Sequence, residues 1–492
     1  MGIVIKQSIR ASIFSYIGVV IGYINILWLY PFFLEANEIG LFRIIQSSAY
    51  LLATFGQFGM GSTFVKFFPE YKKEKGLLAL TLTISSVGYL LLLGACVLLE
   101  SYIAGYFANE SPLFVEYFQI ALIITYLIIL FQLLEAYCRS VLDIGMPTFL
   151  RDIGLRLLTT CFILLYAVDQ ISFDALVWSF AVSFLFMALS LFIYVLLIKK
   201  ASLRFDFSFI NKKTLRQFLT FGAFALLGAG GTQIILQIDS IMVSGALGLD
   251  ETGIYTIAFF IGTVIELPKR AISQVSMSLI SQNFKNNDMV AVKKLYQQTS
   301  INQLIIGALL LLGIWSNLDN VYQFVPNGAL YRQGFYVVLF IGLGKLSDML
   351  FGANGEIIVM SKYYRFNVFA VVILAMMTIG LNALLIPSLG IQGAALASFI
   401  AMFTFNLLKF LFVWVKLSLQ PFSLKSVIAI LIIAFVYFCQ LQLPIFENPF
   451  LDLVIRSSVI SLVYLLLMYG FKVSPEVNGL IKGGLRKAKL IK

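Results

Sequence analysis

The chain has 492 residues, 60% of them hydrophobic and only 12% charged, and its 35 lysines and arginines against 24 acids leave a formal net charge of +11. So few charges cannot cover a water-exposed surface, which excludes a soluble globular protein. The basic residues sit beside apolar segments, which excludes a nucleic-acid binder and points to contact with anionic membrane lipids.

A membrane span takes roughly 20 apolar residues. Runs of that order fall at about 11–33, 41–65, 77–99, 115–136, 153–168, 175–198, 218–245, 253–280, 299–318, 333–353, 367–387, 392–415, 426–443 and 453–471. They predict about fourteen transmembrane helices in an all-α integral membrane protein. The runs are too long for barrel strands and show no period-two alternation. The opening MGIVIKQSIRAS lacks a cleavage site of small residues, so the first run reads as a helix rather than a removed signal.

Basic residues gather in alternate connections. One set holds Lys6 and Arg10; Lys66, Lys72, Lys73 and Lys75; Arg139, Arg151 and Arg156; the stretch Lys199–Gln217; Lys285, Lys293 and Lys294; Lys362 and Arg365; Lys416 and Lys425; and the tail from Lys472. The opposite set is acidic, with Glu35, Glu38, Glu110, Asp250 and Glu251. The positive-inside rule then places both termini in the cytoplasm.

The turn Asn37-Glu38-Ile39-Gly40-Leu41-Phe42 has a twin at Asp250-Glu251-Thr252-Gly253-Ile254-Tyr255. Each leads into an apolar run, as expected of a duplicated bundle. The predicted organisation is an N-terminal six-helix lobe over 1–198, a basic cytoplasmic linker over 199–217, a second six-helix lobe over 218–415, and two further helices with a basic tail over 416–492. Asn283–Gln298, with Met289, Val292, Leu295 and Tyr296 among charged residues, predicts a short helix lying on the membrane surface, and Lys482, Arg486, Lys487 and Lys489 give the tail a similar character.

Cys96, Cys138, Cys161 and Cys439 show no metal-binding spacing, and histidine is absent. No metal or other cofactor is expected, and coupling to H⁺ or Na⁺ would have to use carboxylates. Neither a phosphate-cradling GxxxxGK[ST] loop nor a catalytic constellation is present, so the chain does not read as an enzyme.

Charge inside a bilayer is costly and marks function. In the second run Arg43, Ser47, Tyr50, Thr54, Gln57 and Gly61 recur at intervals of three and four on one face, with Gln46 beside them. The stripe suits either the wall of a water-filled cavity or a polar seam between helices. The seventh run repeats it with Gln233, Gln237, Ser240 and Ser244, and Asp239 adjoins. The eighth carries Glu266, Lys269 and Arg270 around Pro268, a cationic site or a self-paired cluster; the tenth carries Lys345, Asp348, Gly352 and Glu356. Asp239, Glu266, Asp348 and Glu356 are the candidates for ion coupling. Arg43 is the one cation that this reading places inside the first lobe. Gly18 and Gly22 form a GxxxG pair suited to close helix packing.

Fourteen helices in a six-plus-six-plus-two arrangement, with the repeated Glu38–Phe42 and Glu251–Tyr255 turns, resemble the Wzx-type oligosaccharide flippases of the multidrug/oligosaccharidyl-lipid/polysaccharide (MOP) exporter superfamily. Gln237-Ile238-Asp239-Ser240 and Ile386-Pro387-Ser388-Leu389-Gly390-Ile391-Gln392-Gly393-Ala394-Ala395-Leu396-Ala397 add to the likeness. The resemblance implies a MATE-like pair of lobes around a cavity that opens alternately to each side. Its cargo would be an undecaprenyl-diphosphate-linked oligosaccharide, moved to the outer leaflet of the bacterial cytoplasmic (inner) membrane for O-antigen, capsule or exopolysaccharide assembly. Cavity roles would fall to Arg43, Lys269, Arg270 and Lys345, and a polymerase or glycosyltransferases would be partners. A lipid II flippase for peptidoglycan and a cation-coupled multidrug exporter of the same superfamily are the alternatives.

Overall fold

The computed structural model describes residues 2–71, 74, 76–199 and 201–479; Lys72, Lys73, Lys75, Lys200 and the tail cations Lys482, Arg486, Lys487 and Lys489 lie outside the described residues. Among the described residues all regular structure is helical. Among the described residues ten helices are long and apolar enough to cross a membrane, or eleven if the bent pair Gly328–Leu350 and Asn354–Met360 is one span. Several of the fourteen expected runs are interrupted: the second between Gly56 and Met60, the fifth by a wide turn at Leu150–Gly154, the eighth by a tight turn at Val264–Glu266, and the tenth by a bend of 51°. The chain packs as two units, Met1–Thr256 and Ile257–Lys492.

In the first unit the helices are α1 (Gly2–Ile24), α2 (Ala36–Gly56), α3 (Met60–Tyr71), α4 (Leu77–Leu98), α5 (Phe118–Ser140), α6 (Leu155–Ala167), α7 (Phe173–Ile193) and α8 (Lys212–Leu247), and α9 (Leu249–Thr263) begins there. The centre is α2, packed on α4, α5 and α8. Leu41, Ile44, Ile45, Ala49 and Ala53 are fully buried on it. Its start is fixed by a capping box, in which the Glu35 side chain accepts from the backbone three residues on and Glu35 N donates to Glu38 Oε2 at 2.9 Å. Glu38 of the first turn therefore starts a helix.

The glycine of that turn permits contact with its twin. A Cβ on Gly40 would lie 2.0 Å from the Leu249 carbonyl oxygen, and one on Gly253 would lie 2.0 Å from that of Ala36. The two repeats meet backbone to backbone.

The second unit contains α10 (Leu267–Lys285), α11 (Met289–Ser316), α12 (Phe335–Leu350), α13 (Asn354–Met360), α14 (Tyr364–Leu389), α15 (Ile391–Leu417), α16 (Leu424–Gln440) and α17 (Pro449–Gly470). Ile301, Leu304 and Ile305 of α11 form one core with Ala429, Ile432, Ile460 and Tyr464 of α16 and α17. A second core joins Ile280, Val292, Tyr296, Ile357 and Val413. This second core corrects the expected surface helix at Asn283–Gln298. Asp288 caps α11, accepting from Ala291 N at 2.9 Å, and the buried Val292 and Tyr296 of its first turns face protein.

Candidate functional site

In the second unit the broken helices gather charge. The turn at Val264–Glu266 interrupts the backbone ladder, and Pro268, which has no N–H to donate, sits in the first turn of α10. Beyond it the Lys269 ammonium contacts the Asp348 carboxylate on α12. Lys345 Nζ, also on α12, lies 2.5 Å from Glu266 Oε2. Each of the two segments thus supplies one acid and one base, and the pairs cross-brace α10 to α12. Pairing offsets the cost of removing these ions from water. Arg270 reaches Glu266 at 3.9 Å but keeps 64% of its side chain exposed.

The break between α12 and α13 continues the cluster. Glu356 is in the first turn of α13 and has no cation within 4.0 Å among the described residues. The sequence reading passed over Lys409 on α15. That residue is only 6% exposed, its Nζ lies 4.0 Å from the centre of the Phe405 ring, and its charge interacts with those of Asp348, Lys269 and Glu356. A signal was present in the sequence, since Lys409 is the single charged residue between Ile391 and Val415.

The first unit holds the other expected residues. Arg43 Nε donates to Ser240 Oγ at 2.9 Å, and the Tyr255 hydroxyl donates to Asp239 Oδ2 at 2.9 Å. Ser47, Asp239 and Ser240 are buried, while Gln46, Gln57, Gln233 and Gln237 are half-buried. Four buried atoms on this stripe, Ser47 Oγ, Gln57 Nε2, Gln233 Oε1 and Gln237 Oε1, have no hydrogen-bond partner among the described residues.

Arg151 and Arg156 also stand on helical segments of this unit. Arg151 Nη1 donates to Glu135 Oε1 at 2.8 Å and its Nε to Asp152 Oδ1 at 2.9 Å, while Ser15 Oγ donates to Asp152 Oδ2 at 2.6 Å. The Arg156 guanidinium donates to the Gly18 carbonyl, and Asn25 Nδ2 donates to the Arg156 carbonyl at 3.2 Å. Both partner segments contain a wide helical turn, Asn25–Leu29 and Leu150–Gly154. The fifth run starts earlier than its apolar residues suggest, because helix Gly145–Phe149 leads through the wide turn into α6.

A family profile described as "Polysaccharide biosynthesis protein" matches residues 5–284. No curated protein matches the chain in sequence. Among solved structures the lipid II flippase MurJ, in an inward closed conformation, is similar with a TM-score of 0.79 at 18% identity, over 94% of this chain and 98% of that one. An inward-facing multidrug resistance transporter of the MATE family gives 0.63 at 13% identity, over 84% and 98%. A MOP superfamily transporter from Pyrococcus furiosus, described as having a binding pocket of reverse polarity, gives 0.55 at 12% identity, over 85% and 95%. The fold common to these structures is that of the MOP superfamily, and with more than half its length matched by the profile this multi-pass membrane protein belongs to the polysaccharide biosynthesis protein family.

Proposed function

We propose that this protein translocates a lipid-linked glycan across the bacterial cytoplasmic membrane by alternating access, without catalysing a reaction. The observation that carries the reading is the charge cluster of the second unit, in which Lys269, Lys345, Lys409 and the largely exposed Arg270 stand against Glu266, Asp348 and Glu356. A surplus of positive charge in a membrane helix bundle suits an anionic headgroup such as a diphosphate, whose lipid tail stays in the bilayer. It suits an amphipathic cation poorly, which argues against drug export.

For the cargo itself, lipid II or a headgroup of similar size is the reading favoured by likeness to the lipid II flippase over nearly the whole chain. The family match favours, as a second reading, an oligosaccharide precursor for O-antigen, capsule or exopolysaccharide. In either case the proposed architecture has fourteen spans with cytoplasmic termini, two six-helix lobes over 1–198 and 218–415 joined by the 199–217 linker, and the added segment 416–492. Arg270 would face the headgroup, with Lys269 and Lys345 bracing the segment that carries it, and Arg43 is the candidate cavity cation of the first unit. The orphaned polar atoms of Ser47, Gln57, Gln233 and Gln237 suit a hydrated wall. Asp239, Glu266, Asp348 and Glu356 would be available for H⁺ or Na⁺ coupling, and a polymerase or glycosyltransferases would act beside the transporter.

The test is translocation in proteoliposomes, scoring the fraction of labelled headgroup exposed on the far leaflet for lipid II and for an undecaprenyl-diphosphate-linked oligosaccharide in parallel. Protein-dependent exposure of one of them assigns the cargo. No exposure of either, with ion-driven uptake of a cationic dye by the same vesicles, would replace the proposal with drug export. K269Q together with R270Q should abolish translocation while the protein stays folded in the membrane.

A further inference from the structure

Of the cations in the second unit, Lys269 and Lys345 already hold carboxylates: Lys269 contacts Asp348, and Lys345 lies 2.5 Å from Glu266. Arg270 is largely exposed. Lys409 differs from all three. It is 94% buried by its 6% exposure, and among the described residues its ammonium has no hydrogen-bond acceptor and no carboxylate within 4.0 Å. Its Nζ lies 4.0 Å from the centre of the Phe405 ring, and a ring face satisfies part of a cation's field while leaving its three N–H donors unused.

The place to which the ammonium points is also unusual. Its Nζ lies 3.5 Å from where a Cβ on Gly355 would stand, so the absence of a side chain at 355 leaves room beside it. Gly355 follows the break between α12 and α13, where the helix axis bends by 51°. Interrupted helices deep in a bundle are where transporters place polar ligands, because the backbone there is freed from its own ladder. Across this break stand Asp348, already bound to Lys269, and Glu356, which lacks a cation within 4.0 Å among the described residues.

We propose that Lys409 is the ligand-binding cation of this cluster and that it takes a phosphate-type anion, the diphosphate of the lipid-linked cargo. Lys269 and Lys345 act as positioning residues that keep α10 braced on α12. A lysine is a compact point charge with three donors, suited to a phosphate oxygen approaching from a solvated side. The assignment rests on the translocation reading for its cargo but not for its chemistry.

The experiment uses the full chain in detergent and in proteoliposomes. Inorganic diphosphate should slow acylation of Lys409 in the unaltered protein, read by mass spectrometry, and should raise its thermal unfolding temperature. K409Q should lose that shift and translocate labelled lipid-linked glycan about ten- to a hundredfold more slowly, as expected for losing a charge-assisted hydrogen bond, while K409R retains most of the rate. Adding E356Q to K409Q should not restore transport.

Four results would overturn the proposal. Equal acylation with and without diphosphate removes the site even where K409Q fails to fold. Transport by K409Q at the unaltered rate removes Lys409 from the cargo path while leaving the flippase reading intact. Restoration by E356Q makes Lys409 a mere counter-charge. A Lys409-dependent shift with phosphatidylglycerol vesicles but none with diphosphate makes the occupant a membrane phospholipid. Conversely, diphosphate protection without any glycan translocation keeps the site and removes the flippase reading.

Discussion

Gly40 packs against the carbonyl of Leu249 so closely that a Cβ would lie 2.0 Å from its oxygen, and Gly253 stands in the same relation to Ala36. Residues 36 and 40 occupy the places in the first repeat that 249 and 253 occupy in the second. The contact is therefore reciprocal, as in a local two-fold arrangement. Real carbon–oxygen contacts do not reach such distances, so an alanine at either glycine forces α2 and the start of α9 apart. G40A is expected to cost about 1–3 kcal/mol in this conformation. The check is labelling of a cysteine placed at Leu249, 6% exposed, in a chain lacking its native cysteines. A membrane-impermeant reagent should modify it faster in G40A, and equal rates would show that the contact is not a seal.

The GxxxG pair on α1 offers a graded comparison. A Cβ on Gly18 would stand 2.4 Å from the Asp152 backbone oxygen, whereas one on Gly22 would stand 2.1 Å from Nη1 of Arg156. Backbone in the wide turn at Leu150–Gly154 cannot move without shifting the helix, but a guanidinium can swing aside. Both substitutions should destabilise, G18A toward the upper end of about 1–3 kcal/mol and G22A below it. Thermal unfolding in detergent decides the order, and a costlier G22A would mean that Arg156 is held more rigidly than α1 itself.

How much of this was legible in the sequence follows from what sequence patterns encode. Glu38, Gly40, Glu251 and Gly253 are readable as repeated turns, and in the first of them capping by Glu38, with close approach at Gly40 and Gly253, each demands a residue type. Glu266, Lys269, Lys345 and Asp348 stood out because charge in an apolar run is rare, but their pairing across α10 and α12 depends on tertiary packing. Arg151 reads from sequence as a loop residue because hydropathy places the helix start at the first apolar residue, and the wide turn carries the helix past polar ones. Met289, Val292 and Tyr296 misled for another reason: an amphipathic period does not say whether the apolar side meets lipid or protein.

Lys269 and Asp348 invite a double-mutant cycle. Their side chains keep 16% and 19% exposure, so D348N should cost up to about 3 kcal/mol, the low end for breaking a buried pair, by leaving Lys269 without its counter-ion. K269Q in the D348N background should recover part of that loss, with a coupling of at least about 1 kcal/mol. Additive losses in thermal unfolding would show that the two charges are independently solvated.

Within the first unit, the start of the basic 199–217 stretch is held by an ion pair whose pH response has a definite sign. Lys199 Nζ lies 2.5 Å from Asp143 Oδ2, which also accepts from the Tyr194 hydroxyl at 2.6 Å. Burial opposes ionisation of Asp143, but the Lys199 ammonium and the Tyr194 hydroxyl outweigh it and hold the carboxyl below its usual range. Bonding to Asp143 raises the Lys199 ammonium above its usual range. A depressed carboxyl contributes stability that is present above its unfolded value and lost as pH falls through the folded one; a raised ammonium contributes stability lost only as pH rises through its own. The tie should therefore hold from roughly pH 4 to pH 10. D143N should speed trypsin cleavage at Arg204 in the 199–217 stretch at pH 8, and the difference in unfolding temperature between D143N and the unaltered protein should shrink below about pH 4. A difference that persists undiminished in acid would assign the effect of D143N to lost packing rather than lost charge.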